Sequence, residues 1–128
     1  MLGSLRDELR VDLAAKTLTW WRDGRVALVT AVAIGAPETP TPAGAFFVTD
    51  LLDNADNNGP YGPYALGLSA HSDTLSEFAG GDGRIGIHGT DAPSSIGQAL
   101  SHGCVRVPND IVALLARSVP LGTPVTIA

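Results

Sequence analysis

Residues 10–34 read RVDLAAKTLTWWRDGRVALVTAVAI, and this stretch decides the fold class. Its runs rich in Val, Leu, Thr and Trp are typical of β-strands, and they cover residues 10–13, 16–21 and 25–34. Two short turns separate the runs. The second turn, Asp23-Gly24, is a strong hairpin signal because both residue types accept a positive φ. The stretch therefore predicts an antiparallel meander of three strands.

Short strands continue toward the C-terminus, in runs at residues 46–49, 64–70, 84–89 and 124–128. Pro40, Pro42 and Gly44 disfavour a helix ahead of the first of these runs. One convincing helix begins near residues 108–110, where Asn is expected to cap N–H groups, and it should end at Gly122. The expected fold is mainly β, a sandwich or barrel-like structure, with one principal helix after the only cysteine.

The segment DLLDNADNNGPYGP at residues 50–63 is rich in Asp, Asn, Gly and Pro. These residue types favour turns, so the segment is predicted to be a long surface loop that covers a site. Tyr61 and Tyr64 flank a Gly-Pro pair at the end of the segment, and both are candidate substrate contacts.

Composition favours one compact folded domain, with 128 residues of which 45% are hydrophobic and 16% charged. The formal charge of −5, without a basic run, argues against nucleic acid as a partner. The longest apolar run, residues 26–36, is shorter than the roughly 20 residues that span a bilayer. The first ten residues lack the layout of a signal peptide, so neither a membrane span nor an export signal is expected in this sequence.

The only cysteine, Cys104, lies in SHGCVRV at residues 101–107. A thiol attacks as its thiolate, and its ordinary pKa of about 8.5 means that a catalytic cysteine needs a base or a cation nearby. The neighbouring His102 and Arg106 meet that need. The alternative is a buried, inert thiol that serves as a small hydrophobic residue, and these neighbours argue against it.

Three histidines are candidates for the base: His71, His88 and His102. His102 shares a face with Cys104 if the segment is extended, but it leaves little room for a substrate carbonyl. His88 ends a predicted strand and can approach from a neighbouring element, so we predict that His88 is the base. His71 is expected to be a structural residue or part of the wall of the site.

Gly103 and Arg106 complete the predicted chemistry. Gly103 allows a sharp turn, and the N–H groups of Gly103 and Cys104 are candidates for an oxyanion hole. Arg106 is placed to hold a substrate carboxylate with its planar fork, although it could instead satisfy backbone carbonyls or an acidic residue. This combination is typical of acyl transfer.

Two motifs, IHGT at residues 87–90 and SHGCVRV at residues 101–107, resemble the signature of the YkuD-type L,D-transpeptidases. The segments TPTPAGAF and PNDIVALLARSVPLGTPVTI also resemble that family's strand entry and its helix with the final strand. The resemblance covers residues 9–128 as one catalytic domain and leaves residues 1–8 as an N-terminal extension.

The resemblance implies that Cys104 is the nucleophile, His88 the general base, and the carbonyl of Gly89 the group that orients the imidazole. Ser101 and His102 would shape the substrate site. The implied donor is a peptidoglycan tetrapeptide stem. Its third residue, a diamino acid, acylates the thiol through its carbonyl group, and the terminal D-Ala leaves. The diamino-acid amine of a neighbouring stem then resolves the thioester, without metal or cofactor. Inhibition by carbapenems and an extracytoplasmic location, in the cell wall or periplasm, are also implied.

Several alternatives stay open from the sequence. Water could resolve the acyl-enzyme, which would make the protein an L,D-carboxypeptidase or endopeptidase. His102 and Cys104 could ligate zinc, or the domain could bind the cell wall without catalysis. Only twelve residues separate His88 from Ser101, which predicts a compact lid, and a trimmed catalytic core would account for the missing export signal.

Overall fold

A computed structural model describes residues 7–53, 62–71, 84–101 and 103–128. Within these ranges the chain forms ten strands, one α-helix and a 3₁₀ turn at Pro93–Ser95. The elements are β1 (Asp7–Asp12), β2 (Thr17–Arg22), β3 (Arg25–Ala31), β4 (Ile34–Gly35), β5 (Gly44–Asp53), β6 (Tyr64–His71), β7 (Arg84–His88), β8 (Ala99–Ser101), β9 (Val105–Arg106), α1 (Asn109–Ser118) and β10 (Pro124–Ile127). The mainly β fold with one principal helix after the cysteine motif is confirmed.

Eight strands form one mixed sheet in the order β3-β2-β1-β10-β5-β6-β7-β9, while β4 and β8 pair separately. The predicted meander is confirmed, since β1, β2 and β3 pair antiparallel in sequence. Asp23 and Gly24 both have a positive φ, 53° and 77°, as a tight hairpin turn requires. The closing strand β10 lies parallel to β1 and antiparallel to β5, so it joins the meander to the half of the sheet that ends in β7 and β9.

Three predicted boundaries are wrong: the start of the covering loop, the end of the third strand of the meander and the end of the helix. Strand β5 continues to Asp53, because residues 51 and 52 pair with residues 66 and 65 of β6 and extend the ladder into the predicted loop. The rest of that loop, residues 54–61, lies outside the described ranges, and so does Tyr61. The predicted strand 25–34 divides, since β3 ends at Ala31 and β4 joins a different sheet.

Helix α1 ends at Ser118, four residues before Gly122. Val119 is already extended, with φ −100° and ψ 118°, because the following Pro120 disfavours helical backbone at the residue that precedes it. The helix packs its buried residues against β6 and β7. No helix of the described ranges has the length and apolarity that a membrane crossing needs.

The core lies between one face of the sheet and α1. Alternate residues of β1, β2 and β10 supply it, as expected for strands with one buried face, together with buried residues of β5, β6, β7, β9 and α1. Its largest fully buried side chains include Leu9, Leu18, Leu66, Leu68, Ile85, Ile87, Leu115 and Ile127. Because Ile85 and Ile87 point into this core, the side chain of the next residue, His88, points to the other face of β7.

A buried carboxylate ties the first two strands to the end of the helix. The Asp7 carboxylate accepts hydrogen bonds from the Trp20 indole N–H at 2.7 Å and from Arg22 Nε at 2.9 Å. Arg22 also donates from Nη2 to the Ser118 carbonyl at 2.9 Å. The cluster therefore satisfies a buried indole N–H and a carbonyl at the C-terminus of α1.

We expect Asp7→Asn to lower the free energy of unfolding by about 1–3 kcal/mol, because the Trp20 indole N–H loses a charged acceptor in a buried position. Glu8→Gln is the matched control, since Glu8 pairs with Arg10 at the surface and such pairs contribute only about 0–1 kcal/mol. Urea denaturation of both variants measures the two effects. Equal losses would show that the Asp7 cluster does not stabilise the fold.

Candidate active site

His88 ends β7 and is almost fully buried, with 4% of its surface exposed. Its Nδ1 is hydrogen-bonded to the carbonyl oxygen of the next residue, Gly89. A carbonyl oxygen only accepts, so Nδ1 carries the proton and the neutral ring has its basic lone pair on Nε2. The backbone thereby selects the tautomer that a general base needs.

Burial lowers the pKa of the His88 imidazole to about 4. The hydrogen bond to the Gly89 carbonyl acts in the opposite direction, and the positive charge of Arg106 lowers the pKa further. The imidazole is consequently neutral at pH 7, with a proton on Nδ1 only.

Cys104 lies just before β9, with 8% of its surface exposed. Burial raises the pKa of its thiol to about 11, although the Gly86 N–H and the Arg106 charge both lower it. The Gly86 N–H donates to Sγ at 3.4 Å. At rest the thiol and the imidazole are therefore both neutral, so the two groups are not a preformed ion pair.

Parallel pairing of β7 with β9 brings the two sequence motifs together. Ile87 pairs with Val105, and His88 pairs with Arg106. Both Ile87 and Val105 are fully buried in the core, so strand alternation puts His88 and Arg106 on the opposite face. Cys104 precedes β9, and its Sγ lies at the Gly86 N–H of β7. Hydrogen-bond reach between the Cys104 thiol and His88 stays a prediction.

The loop before Cys104 is held by its own hydroxyl. Ser101 Oγ donates to the Cys104 carbonyl at 2.6 Å and accepts from the Gly103 N–H at 3.1 Å. Gly103 has φ +123°, and a Cβ there would lie 3.1 Å from Ile85 Cδ1, so the predicted need for glycine has a structural basis. Ser101 is 2% exposed, and it shapes the loop instead of facing a substrate.

The predicted two-donor oxyanion hole is wrong in one of its groups. The Gly103 N–H already donates to Ser101 Oγ, because the side chain closes the turn at this point. The Cys104 N–H has no acceptor within the described part of the chain. Of the two amides, the Cys104 N–H is thus the candidate donor to an oxyanion.

Arg106 is half-buried, and its guanidinium makes no hydrogen bond or ion pair with any residue that the structure describes. Its charge acts on both His88 and Cys104, which places the guanidinium near both groups. Arg106 therefore does not satisfy a backbone carbonyl or an acidic residue within the described ranges, which was the alternative to substrate binding. An arginine in this state is suited to bind an external anion.

Threonine hydroxyls of the TPTP segment brace the loop from outside. Thr41 Oγ1 donates to the Gly103 carbonyl at 2.8 Å and accepts from the Gly35 N–H at 2.8 Å. Thr39 Oγ1 donates to the Ser101 carbonyl at 2.9 Å. The sequence indicated only a strand entry here, because hydrogen bonds over 62 residues leave no local pattern.

The remaining candidates have mixed outcomes. Tyr64 begins β6, as the predicted strand at residues 64–70 requires, and it packs partly buried against the core; its contact with a substrate stays a prediction. His102 and the side chain of His71 lie outside the described residues.

Asn109 does not cap α1; its Oδ1 accepts from the Thr90 N–H at 2.7 Å instead. The described ranges contain no group of three or more His, Cys, Asp or Glu side chains suited to a metal.

Comparisons with known proteins agree with this geometry. Residues 6–127 match the family model of the YkuD L,D-transpeptidase catalytic domain. The chain is 40% identical over 119 residues to the putative L,D-transpeptidase YkuD of Bacillus subtilis, covering 93% of this chain and 64% of that protein. It therefore spans less than two thirds of that relative.

Two solved structures are similar over nearly the whole chain. The catalytic domain of the E. faecium L,D-transpeptidase has a TM-score of 0.70 and 29% identity, covering 95% of this chain and 96% of that one. The Ldtfm-avibactam carbamoyl enzyme has a TM-score of 0.74 and 29% identity, covering 99% of this chain and 49% of that one.

The depressed pKa of His88 predicts a specific loss of stability in acid. In the unfolded chain its imidazole binds a proton near pH 6.5, whereas the folded protein takes one up only near pH 4. The unfolded state therefore binds more protons over this interval, and His88 should remove about 3 kcal/mol of stability as the pH falls from 6.5 to 4.

Urea denaturation at several pH values, with His88→Gln as the comparison, isolates this contribution from that of the carboxylates. The wild type should lose more stability than the variant between pH 6.5 and 4. Parallel curves would contradict the burial of a neutral His88.

Proposed function

Because the chain belongs to the family of YkuD-type L,D-transpeptidase catalytic domains, we propose that it cross-links peptidoglycan stem peptides through a thioester on Cys104. The observation that supports the proposal is the parallel pairing of β7 with β9, which sets His88 beside Arg106 and has Cys104 Sγ at the Gly86 N–H of β7. We also propose that the substrate of the whole protein is peptidoglycan and that the protein acts outside the cytoplasm.

In the acylation step, Cys104 Sγ attacks the carbonyl carbon of the third residue of a tetrapeptide stem. His88 Nε2 accepts the thiol proton as the C–S bond forms, and the Cys104 N–H donates to the oxyanion. The C–N bond to D-Ala then breaks, and the imidazolium returns the proton to the departing amine. The products are free D-Ala and an acyl-enzyme thioester.

The resting protonation states make this proton transfer part of the attack. With a thiol pKa of about 11, only about one thiol in 10⁴ is ionised at pH 7. Burial also disfavours the imidazolium of His88. Neither the thiolate of Cys104 nor the imidazolium of His88 is stable before substrate arrives, so His88 has to accept the proton as the sulfur attacks. Between turnovers the cysteine stays a neutral thiol.

Arg106 supplies the binding half of the proposal. Its charge acts on both His88 and Cys104, its guanidinium has no partner among the described residues, and its fork matches a carboxylate in a bidentate manner. A tetrapeptide stem carries a carboxylate at its D-Ala terminus, next to the scissile bond. Arg106 would anchor this carboxylate and fix the position of the scissile carbonyl.

In the second step, the amine of a neighbouring stem attacks the thioester carbonyl, with His88 as the base, and the thiol is released with its proton. Water in place of the amine would give free tripeptide instead of a cross-link. Whichever of the amine and water reaches the thioester decides the product, so the products of the reaction distinguish a transpeptidase from a carboxypeptidase.

A carbapenem tests the nucleophile and the base. It presents a strained amide carbonyl beside a carboxylate, so Cys104 should open the ring and gain the full mass of the drug, one adduct per chain, in intact-protein mass spectrometry. His88→Ala should slow acylation by about 10² or more as base assistance is lost. Cys104→Ala should stay folded and unlabelled.

A folded wild type that does not acylate under reducing conditions would remove the thioester mechanism. Acylation that is unchanged in His88→Ala would retain the nucleophile and transfer the base role to His102.

Purified disaccharide-tetrapeptide tests the reaction itself. Mass analysis should detect cross-linked dimers that have lost one D-Ala, whereas free tripeptide alone would make the protein a carboxypeptidase. Arg106→Lys keeps the charge but loses the fork, so kcat/KM should fall by about tenfold, or about 1.4 kcal/mol, with little change in Tm. Arg10→Lys, at the surface of β1, is the matched control; an equal effect in both variants would remove the assigned role of Arg106.

A further inference from the structure

We propose that Asn109 is a positioning residue for the reaction, which holds the peptide between Gly89 and Thr90 so that its carbonyl fixes the tautomer and orientation of His88. This inference rests on the proposed function only in so far as it assigns His88 as the base. Asn109 itself touches neither the imidazole nor the thiol in this account; it acts through the backbone.

The contact is directed at one peptide group. Asn109 Oδ1 accepts a hydrogen bond from the Thr90 N–H at 2.7 Å. That N–H belongs to the same planar peptide as the Gly89 carbonyl, to which His88 Nδ1 is bonded. In a trans peptide the N–H and C=O point in opposite directions, so the two bonds hold the plane from both sides and polarise it in the same sense.

The amide of Asn109 is not used to cap its own helix. Pro108 occupies the N-cap of α1, so Asn109 lies one residue past the position from which Asn caps a helix, and no side-chain cap bond is present. The side chain instead reaches Thr90, which lies 19 residues earlier and is almost fully buried.

Backbone packs against the Asn109 oxygen with no room to spare. A Cβ on Gly89 would lie 2.2 Å from Oδ1, and a Cβ on Gly62 would lie 2.6 Å from the same atom. Gly62 also has φ +67°, which favours glycine. Glycines at both positions thus let two backbone segments close around one side-chain oxygen, and this oxygen cannot move away without opening the packing.

The preceding peptide, between His88 and Gly89, is held by backbone partners on both sides. The His88 carbonyl accepts from the Val107 N–H at 2.9 Å, and the Gly89 N–H donates to the Tyr64 carbonyl at 3.3 Å. The peptide that follows, which bears the acceptor for His88 Nδ1, lies beyond the end of β7, and Asn109 supplies its support. Removing Oδ1 would leave that peptide without this bond and let its carbonyl turn away from the imidazole.

The test compares three variants of the full chain. In Asn109→Ala, Cys104 should be acylated by a carbapenem about 10-fold to 10² more slowly, and ¹⁵N NMR of His88 should change from one Nδ1–H tautomer to a mixture. Asn109→Asp retains an oxygen at the same position, so it should restore the single tautomer and most of the rate. Asp110→Ala, one residue along α1, should acylate within about twofold of wild type and keep its tautomer.

Two results would overturn the proposal: a wild-type tautomer and rate in Asn109→Ala, or equal impairment in Asn109→Ala and Asn109→Asp. The NMR arm needs no reaction. A wild type that fails to acylate would therefore overturn the proposed function, while the tautomer of Asn109→Ala would still decide the role of Asn109.

Discussion

The parallel pairing of β7 with β9 is the constraint on which the site depends. Burial of Ile87 and Val105 in the core sets the register, and the alternation of a strand then turns His88 and Arg106 to the other face. A slip of one residue would exchange the faces, placing a guanidinium in the core and two apolar side chains in the site. The hydrophobic core therefore specifies the catalytic geometry as well as the fold.

Around this pair, the chain uses side-chain hydroxyls and glycines to hold irregular backbone in place. Ser101 closes the turn that contains Gly103, and Thr39 and Thr41 bond to its carbonyls from the TPTP segment. Irregular backbone near a site has polar groups that neither strand nor helix can satisfy. Short polar side chains satisfy them here, since the carbonyls of Ser101, Gly103 and Cys104 and the Gly103 N–H all have hydroxyl partners.

The low polarity of the site gives it a consistent electrostatic state. Burial raises the pKa of the Cys104 thiol and lowers that of the His88 imidazole, so both groups are neutral when the site is at rest. The charge of Arg106 favours the thiolate and disfavours the imidazolium. An anion bound at Arg106 would offset both effects, which links the occupancy of the proposed carboxylate site to the protonation of the reacting pair.

The sequence by itself determined the features that depend on neighbouring residues. Asp23-Gly24 specifies a hairpin because its φ requirement is local, strand periodicity identifies the meander, and the motifs around His88 and Cys104 identify the family. Only the tertiary structure decided that Asn109 serves Thr90 instead of its own helix, and that the Gly103 N–H is occupied by Ser101. The Asn109 contact joins elements 19 residues apart, so strand pairing and helix placement have to exist before the side chain can choose its partner. The turn around Gly103 is short, but hydrogen bonds from two threonines 62 residues away in sequence hold its carbonyls. No pattern of neighbouring residues encodes hydrogen bonds over that separation.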